Sequence, residues 1–187
     1  MIRKLALVFA CCAALIGIQA PASAQGKPDP QNTLILTTKD GDVTIALRPD
    51  LAPRHVAQIK ALVKRKFYDG LAFHRVIAGF MAQTGDPNGD GTGGSDLPNI
   101  PAEFSASAHF VRGTVGMARA NDPNSANSQF FICYAAKPYL DGKYTIVGEV
   151  VAGMDVVDKI KKGDDANNGA VTAPDKILRL RLATDPK

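Results

Sequence analysis

Tryptophan is absent from this chain of 187 residues, and aromatic residues of all kinds make up only 6%. Of its three cysteines, Cys11 and Cys12 lie in an N-terminal stretch that reads as a cleaved signal, so the mature chain keeps only Cys133 and no internal disulfide is possible. There is no H-E-x-x-H and no C-x-x-C, which removes support for a zinc enzyme. The formal net charge of +4 falls to +2 once Arg3 and Lys4 leave with that signal, since 20 basic residues then face 18 acidic ones, too small to argue for nucleic acid. Gly 17 and Pro 12 fall short of the levels that mark collagen or disorder. No apolar run outside the N-terminus approaches the ~20 residues of a membrane helix.

The N-terminus itself reads as an export signal. Arg3 and Lys4 precede an uncharged, mostly apolar run from Leu5 to Ile18, and Ala22-Ser23-Ala24 supplies the small-x-small pattern of a signal peptidase site. Pro21 closes the run before it is long enough to anchor. A lipidated cysteine is disfavoured because most of the apolar run follows Cys11 and Cys12. The reading divides the chain into a signal peptide at 1–24, a polar tether at 25–32, one domain at 33–182 and a tail at 183–187. It predicts a periplasmic protein with no membrane attachment after cleavage.

From Thr33 the pattern turns to short strands. Thr33–Thr38 and Val43–Arg48 flank Asp40-Gly41, a hairpin signal. Leu51–Lys66 reads as a helix with Pro53 in its first turn and Val56, Ile59 and Val63 on one face. His55 falls on the polar side. Further strands are predicted at Leu71–Ile77, Phe80–Thr84, Thr114–Arg119, Gln129–Tyr134, Tyr144–Val151 and Lys176–Leu182, with a second helix at Met154–Lys162 and a polar loop at 164–173. Strands dominate without βαβ alternation. The expected class is mainly β, a closed eight-stranded antiparallel barrel capped by two α-helices.

Two motifs in the irregular segment 85–111 mislead. Gly89, Gly91 and Gly94 match G-x-G-x-x-G, but Ser95-Asp96-Leu97-Pro98 follows and cannot open the helix a pyrophosphate needs. Asp86, Asn88, Asp90 and Gly91 copy the start of an EF-hand loop, but Leu97 stands where the bidentate Glu belongs. Cys133, inside Phe130-Phe131-Ile132-Cys133, reads as an inert buried thiol. His55 and His109 show no local triad or metal signature.

The remaining blocks are distinctive. Phe73-His74-Arg75-Val76-Ile77 runs into Gly79-Phe80-Met81-Ala82-Gln83; Met117-Ala118-Arg119, Ser128-Gln129-Phe130-Phe131-Ile132 and Tyr139-Leu140-Asp141-Gly142-Lys143-Tyr144 follow. Alternation places Phe73, Arg75 and Ile77 on one side of the first strand, and separates Met81 and Gln83 from Phe80 and Ala82 on the next. Over residues 33–182 the chain resembles the cyclophilins, peptidyl-prolyl cis-trans isomerases with a barrel capped by two helices. The resemblance implies Arg75 as the catalytic arginine, with Gln83 anchoring the substrate backbone. It implies Phe80, Met81, Phe131 and Leu140 as the proline pocket, with Phe130 turned to the core. Ala118, Arg119 and Gln129 would line the neighbouring groove, and Tyr139 and Tyr144 the pocket's edge.

It also implies proline-containing polypeptides as substrates and neither cofactor nor metal; a monomer is expected because no amphipathic element is left over after the barrel and its two caps. The chemistry is consistent with this, since rotating an X-Pro bond forms no covalent intermediate. Three positions depart from many eukaryotic members: Tyr139 replaces Trp, Tyr144 replaces His and Arg119 replaces Asn. The first of these predicts weak cyclosporin binding. A non-catalytic proline-binding module is the rival reading, and retention of Arg75 argues against it.

Overall fold

A computed structural model of the chain describes residues 28–186. The predicted signal peptide at 1–24, with Cys11 and Cys12, lies outside the described residues. The first strands, β1 (Thr33–Thr38) and β2 (Gly41–Leu47), form a tight antiparallel hairpin in which Thr38 faces Gly41. Its connection is Lys39-Asp40 rather than Asp40-Gly41, and Gly41 opens β2 at φ 132°. Glycine alone takes that conformation freely. Leu34 and Leu36 of β1 and Val43, Ile45 and Leu47 of β2 alternate into the core, as period-2 patterning requires.

Helix α1 (Pro53–Lys64) is shorter than expected at both ends. Its N-cap, Ala52, has no side chain to offer the first turn. Glu103, some fifty residues downstream, accepts from the backbone N–H of Arg54 and of His55, each at 3.1 Å. A carboxylate there also complements the helix dipole. This overturns the expected exposure of His55. Its ring turns towards Glu103, with Nδ1 and Oε2 2.6 Å apart, and its side chain is 0% exposed.

The sheet continues with β3 (Arg75–Ile77), β4 (Met81–Thr84), β5 (Thr114–Met117), β6 (Phe130–Cys133), β7 (Ile146–Ala152) and, after helix α2 (Met154–Lys159), β8 (Arg179–Leu182). Every pairing is antiparallel, in the order β3-β4-β6-β5-β7-β2-β1-β8. The order ends on β3 and β8 without pairing them, so the closed barrel expected from the sequence is an open half-barrel. Among the described residues an isolated bridge, Ala72 to Lys176, and a few loop hydrogen bonds span the gap. The cause is local. β3 has three residues, and the chain reaches β8 through Ala173 in a left-handed conformation (φ 51°) and Pro174, which has no N–H to donate.

The main core packs Leu36, Ile45, Leu62, Phe73, Ile132 and Leu180 between the sheet and α1. Each such side chain contributes about 1.5–3 kcal/mol on burial. A smaller cluster of Met81, Phe110, Phe131, Cys133, Leu140 and Ile146 forms on the other side. Alternation along β6 divides the two: Phe130 and Ile132 enter the main core, Phe131 and Cys133 the smaller one. Phe73 joins the main core, not the Arg75 face, because the regular ladder begins only at Arg75.

The glycine-rich segment folds around Asp86. Its buried carboxylate accepts from the backbone N–H of Asn88, Asp90 and Gly91. The acidic residues that imitate an EF-hand therefore organise a loop.

Candidate active site

Pairing of β3 with β4 sets Arg75 opposite Gln83 and Ile77 opposite Met81, all on one face. The Arg75 guanidinium is held at three points. Nη1 donates to Gln83 Oε1 at 3.1 Å, Nε to the Asn168 carbonyl at 3.0 Å, and Nη2 to Asn168 Oδ1 at 2.8 Å. Gln83 in turn donates to Gln129 Oε1 at 2.8 Å, and Gln129 to the carbonyls of Gly91 and Gly93. Among the described residues no carboxylate pairs with Arg75. Partial burial pulls its pKa down from the ordinary arginine value, but an arginine remains charged at any physiological pH.

Beside this charge lies a cavity of about 870 Å³. Arg75, Phe80, Met81, Gln83, Ala118, Arg119, Phe131, Tyr139, Leu140 and Tyr144 all line it. Met81, Phe131 and Leu140 give it an apolar floor, each no more than 5% exposed. Phe131 stacks on Phe110 at 5.8 Å and meets the edge of Tyr144 at 6.1 Å. That contact uses the space left by Gly116, where a Cβ would lie 2.6 Å from ring atoms of both phenylalanines. Tyr139, 57% exposed, leans on Phe80 at the rim.

Phe80 resolves a conflict in the sequence. Strand alternation sends it away from Met81, but it precedes β4 in the turn after Gly79 (φ 66°), so alternation does not bind it. Gln129 is the one predicted residue outside the large cavity. It lines an adjoining space of about 190 Å³ shared with Gln83, Ala118 and Arg119.

Sequence reasoning missed His74, the glycine-rich stretch 89–92 and Asn167, Asn168, Ala170 and Val171, all of which also line the large cavity. The polar loop at 164–173 carries an Asn168-Gly169 pair, a turn signal, but nothing in it signals contact with Arg75. Asn168 is left-handed (φ 51°), a conformation asparagine tolerates. His74 is buried, which pulls its pKa below the ordinary histidine value. Cys133 is fully buried, and burial pushes its thiol up to about 12, far from a reactive thiolate.

A family model described as cyclophilin type peptidyl-prolyl cis-trans isomerase/CLD matches residues 33–182. The chain belongs to this family. It is 58% identical over 197 residues to a probable peptidyl-prolyl cis-trans isomerase of Brucella suis, with 100% of this chain and 98% of the relative aligned. A peptidyl-prolyl cis-trans isomerase-like protein of Gallus gallus is 44% identical over 130 residues, covering 68% of this chain and 80% of that one.

Among solved structures, the cyclophilin AquaCyp293 from Hirschia baltica superposes with a TM-score of 0.74 at 29% identity, over 86% of this chain and 77% of its own. A Cryptosporidium parvum cyclophilin, solved in the presence of the dipeptide Ala-Pro, gives a TM-score of 0.74 at 28% identity, over 82% and 99%. As a cyclophilin the chain is a peptidyl-prolyl cis-trans isomerase, an enzyme that accelerates rotation about X-Pro bonds. The half-barrel places its two conspicuous sequence blocks, on β3–β4 and on β6, side by side through the β4–β6 pairing of Gln83 with Phe131.

Proposed function

We propose that this cyclophilin isomerises X-Pro bonds of folding polypeptides by seating the proline ring on Phe80, Met81, Phe131 and Leu140 while Arg75 donates to the prolyl nitrogen. The observation that carries the reading is a guanidinium whose partners among the described residues are all neutral, at the edge of an apolar floor. Amide resonance sets a barrier of ~18–20 kcal/mol. Twisting the bond localises the lone pair on nitrogen, and a charged donor aimed there stabilises the twisted state more than either planar one. Shortening tens of seconds to milliseconds requires about 5–6 kcal/mol of such preference.

Gln83 anchors the substrate backbone while orienting Arg75 through its side-chain oxygen. Ala118, Arg119 and Gln129 line the groove for the neighbouring residues, and Tyr139 and Tyr144 border the proline seat. The Ala-Pro dipeptide used with the Cryptosporidium parvum cyclophilin supports a proline peptide as the occupant.

The mechanism employs neither metal nor cofactor. The test is a protease-coupled isomerisation assay on an Ala-Pro peptide with wild-type and Arg75→Ala protein. Near-equal rates would defeat the role given to Arg75.

The composition of residues 1–24 supports export to the periplasm, with the mature monomer starting at Gln25 and acting on proline-containing clients there. Intact mass of periplasmic material checks the cleavage, and a mass retaining residues 1–24 would overturn it.

A further inference from the structure

The groove is one-sided in charge. Arg75 and Arg119 both line the large cavity, and Asp90 is the only carboxylate among the described residues that does so. In the adjoining space of about 190 Å³ the imbalance is complete, because among the described residues Arg119 is the single ionisable one in its wall. The rest of that wall is glycine, alanine, serine, threonine and amide side chains.

Arg119 is fixed in place without being neutralised. Nη1 donates to the carbonyls of Ala120 (2.8 Å) and Asn121 (3.3 Å), Nη2 donates to the carbonyl of Lys143 (3.0 Å), and the guanidinium lies 4.5 Å from the centre of the Tyr144 ring. Carbonyl dipoles and a π face orient a cation but leave its net charge to act on its surroundings. Asp90 lines only the large cavity, where the N–H and hydroxyl of Thr92 orient its carboxylate without neutralising it; in the wall of the smaller space, among the described residues, no carboxylate faces Arg119.

We propose that the adjoining space is an acidic-residue subsite, selecting substrates that carry Glu or Asp close to the isomerised proline, with Arg119 as the residue that sets this preference. The proposal rests on the isomerase reading above. The size of the space suits one side chain. Its polar wall suits a carboxylate, which is attracted by the guanidinium, whereas a lysine in the same place meets a like charge. Because the space opens beside Gln83 and Gln129, the acidic residue sits within a few positions of the proline.

The test uses short peptides carrying Glu, Gln or Lys in turn at each of the two positions before the proline and the one after it. Exchange NMR follows isomerisation, so no helper protease imposes its own preference. At one position the wild-type enzyme should favour Glu over Lys by about tenfold in kcat/KM, a difference that shrinks as salt rises. Arg119→Gln should bring that ratio to about twofold or less, and Arg119→Lys, which keeps the charge, should preserve most of it.

The ratio is read within one variant, so a general loss of activity does not imitate the effect, and melting curves confirm folding. A Glu-to-Lys ratio near one at every position in the wild type, or a ratio untouched by Arg119→Gln, would overturn the proposal. Failure of all peptides to turn over would instead overturn the isomerase reading on which it stands.

Discussion

Asn168 holds Arg75 by both its backbone and its side chain, from 93 residues away: the carbonyl accepts from Nε and Oδ1 from Nη2. The two groups fix the plane of the guanidinium on the side opposite Gln83, and so fix the direction in which its remaining N–H bonds point. Asn168→Gly keeps the left-handed backbone and its carbonyl but deletes one of the two bonds. We expect kcat to fall about three- to tenfold with little change in KM, in keeping with the ~0.5–1.5 kcal/mol of one hydrogen bond at a part-exposed site. Asn168→Ala should add backbone strain of about 1 kcal/mol at φ 51° and lower the melting temperature as well. Steady-state kinetics beside melting curves separate the two effects.

Arg75→Ala should lower kcat and kcat/KM together by about a hundred- to a thousandfold, the cost of one strong transition-state donor. Its melting temperature should stay close to that of the wild type, since its partners Gln83 and Asn168 are at the groove and outside the core. Arg75→Lys keeps the charge but loses the planar fork, so it should recover only a small part of the activity. Full activity in Arg75→Lys would show that charge alone suffices.

Phe131 both lines the large cavity and belongs to the smaller core cluster. Phe131→Ala should raise KM along with the loss of kcat and cost about 3–4 kcal/mol of stability through the cavity it leaves. Gly116→Ala probes the same ring from behind. Its methyl would lie 2.6 Å from both Phe110 and Phe131, so both rings must give way, at about 1–3 kcal/mol. A raised KM in Gly116→Ala with kcat retained would place the disturbance in the seat and not at Arg75.

Acid should destabilise the protein earlier than carboxylates alone would require. Burial lowers the pKa of His55 and of His74, so both stay neutral in the folded chain where the unfolded chain takes up protons. Groups lowered in this way lose stability as pH falls below the ordinary histidine value of about 6.5. Glu103 adds to the loss at lower pH. Burial opposes its ionisation, but hydrogen bonds from the His55 ring and from the backbone of His55 and Arg54 hold its pKa below the usual glutamate value. Urea midpoints at pH 8, 6.5 and 5 should decline steadily, and His55→Gln should flatten part of the slope. A midpoint constant from pH 8 to pH 5 would contradict this account.

Much of the scaffold follows from local rules that the chain states openly. The Thr33–Thr38 strand appears with its predicted bounds because alternation and a turn signal coincide there. Both helices form where apolar spacing and proline or glycine boundaries place them, and fray by a turn or less at their ends. The blocks that line the large cavity were equally legible as blocks, because Arg75, Phe80, Met81 and Gln83 sit in one contiguous stretch and Phe131 in another.

What stayed hidden depends on which segments meet. His55 looked like a surface residue, since nothing near it in sequence announces that Glu103 will cap α1 and draw the ring inward. Asn168 sat in an unremarkable polar loop until folding carried it to Arg75. The barrel does not close because β3 is short and Pro174 interrupts the approach to β8, and neither fact decides the matter until the two edges are placed together. By itself the sequence determined which residues alternate, turn and cap, since those preferences act over a few bonds. The tertiary structure alone decided which buried polar groups find partners and which strand edges remain unpaired, because both depend on contacts between segments distant in the chain.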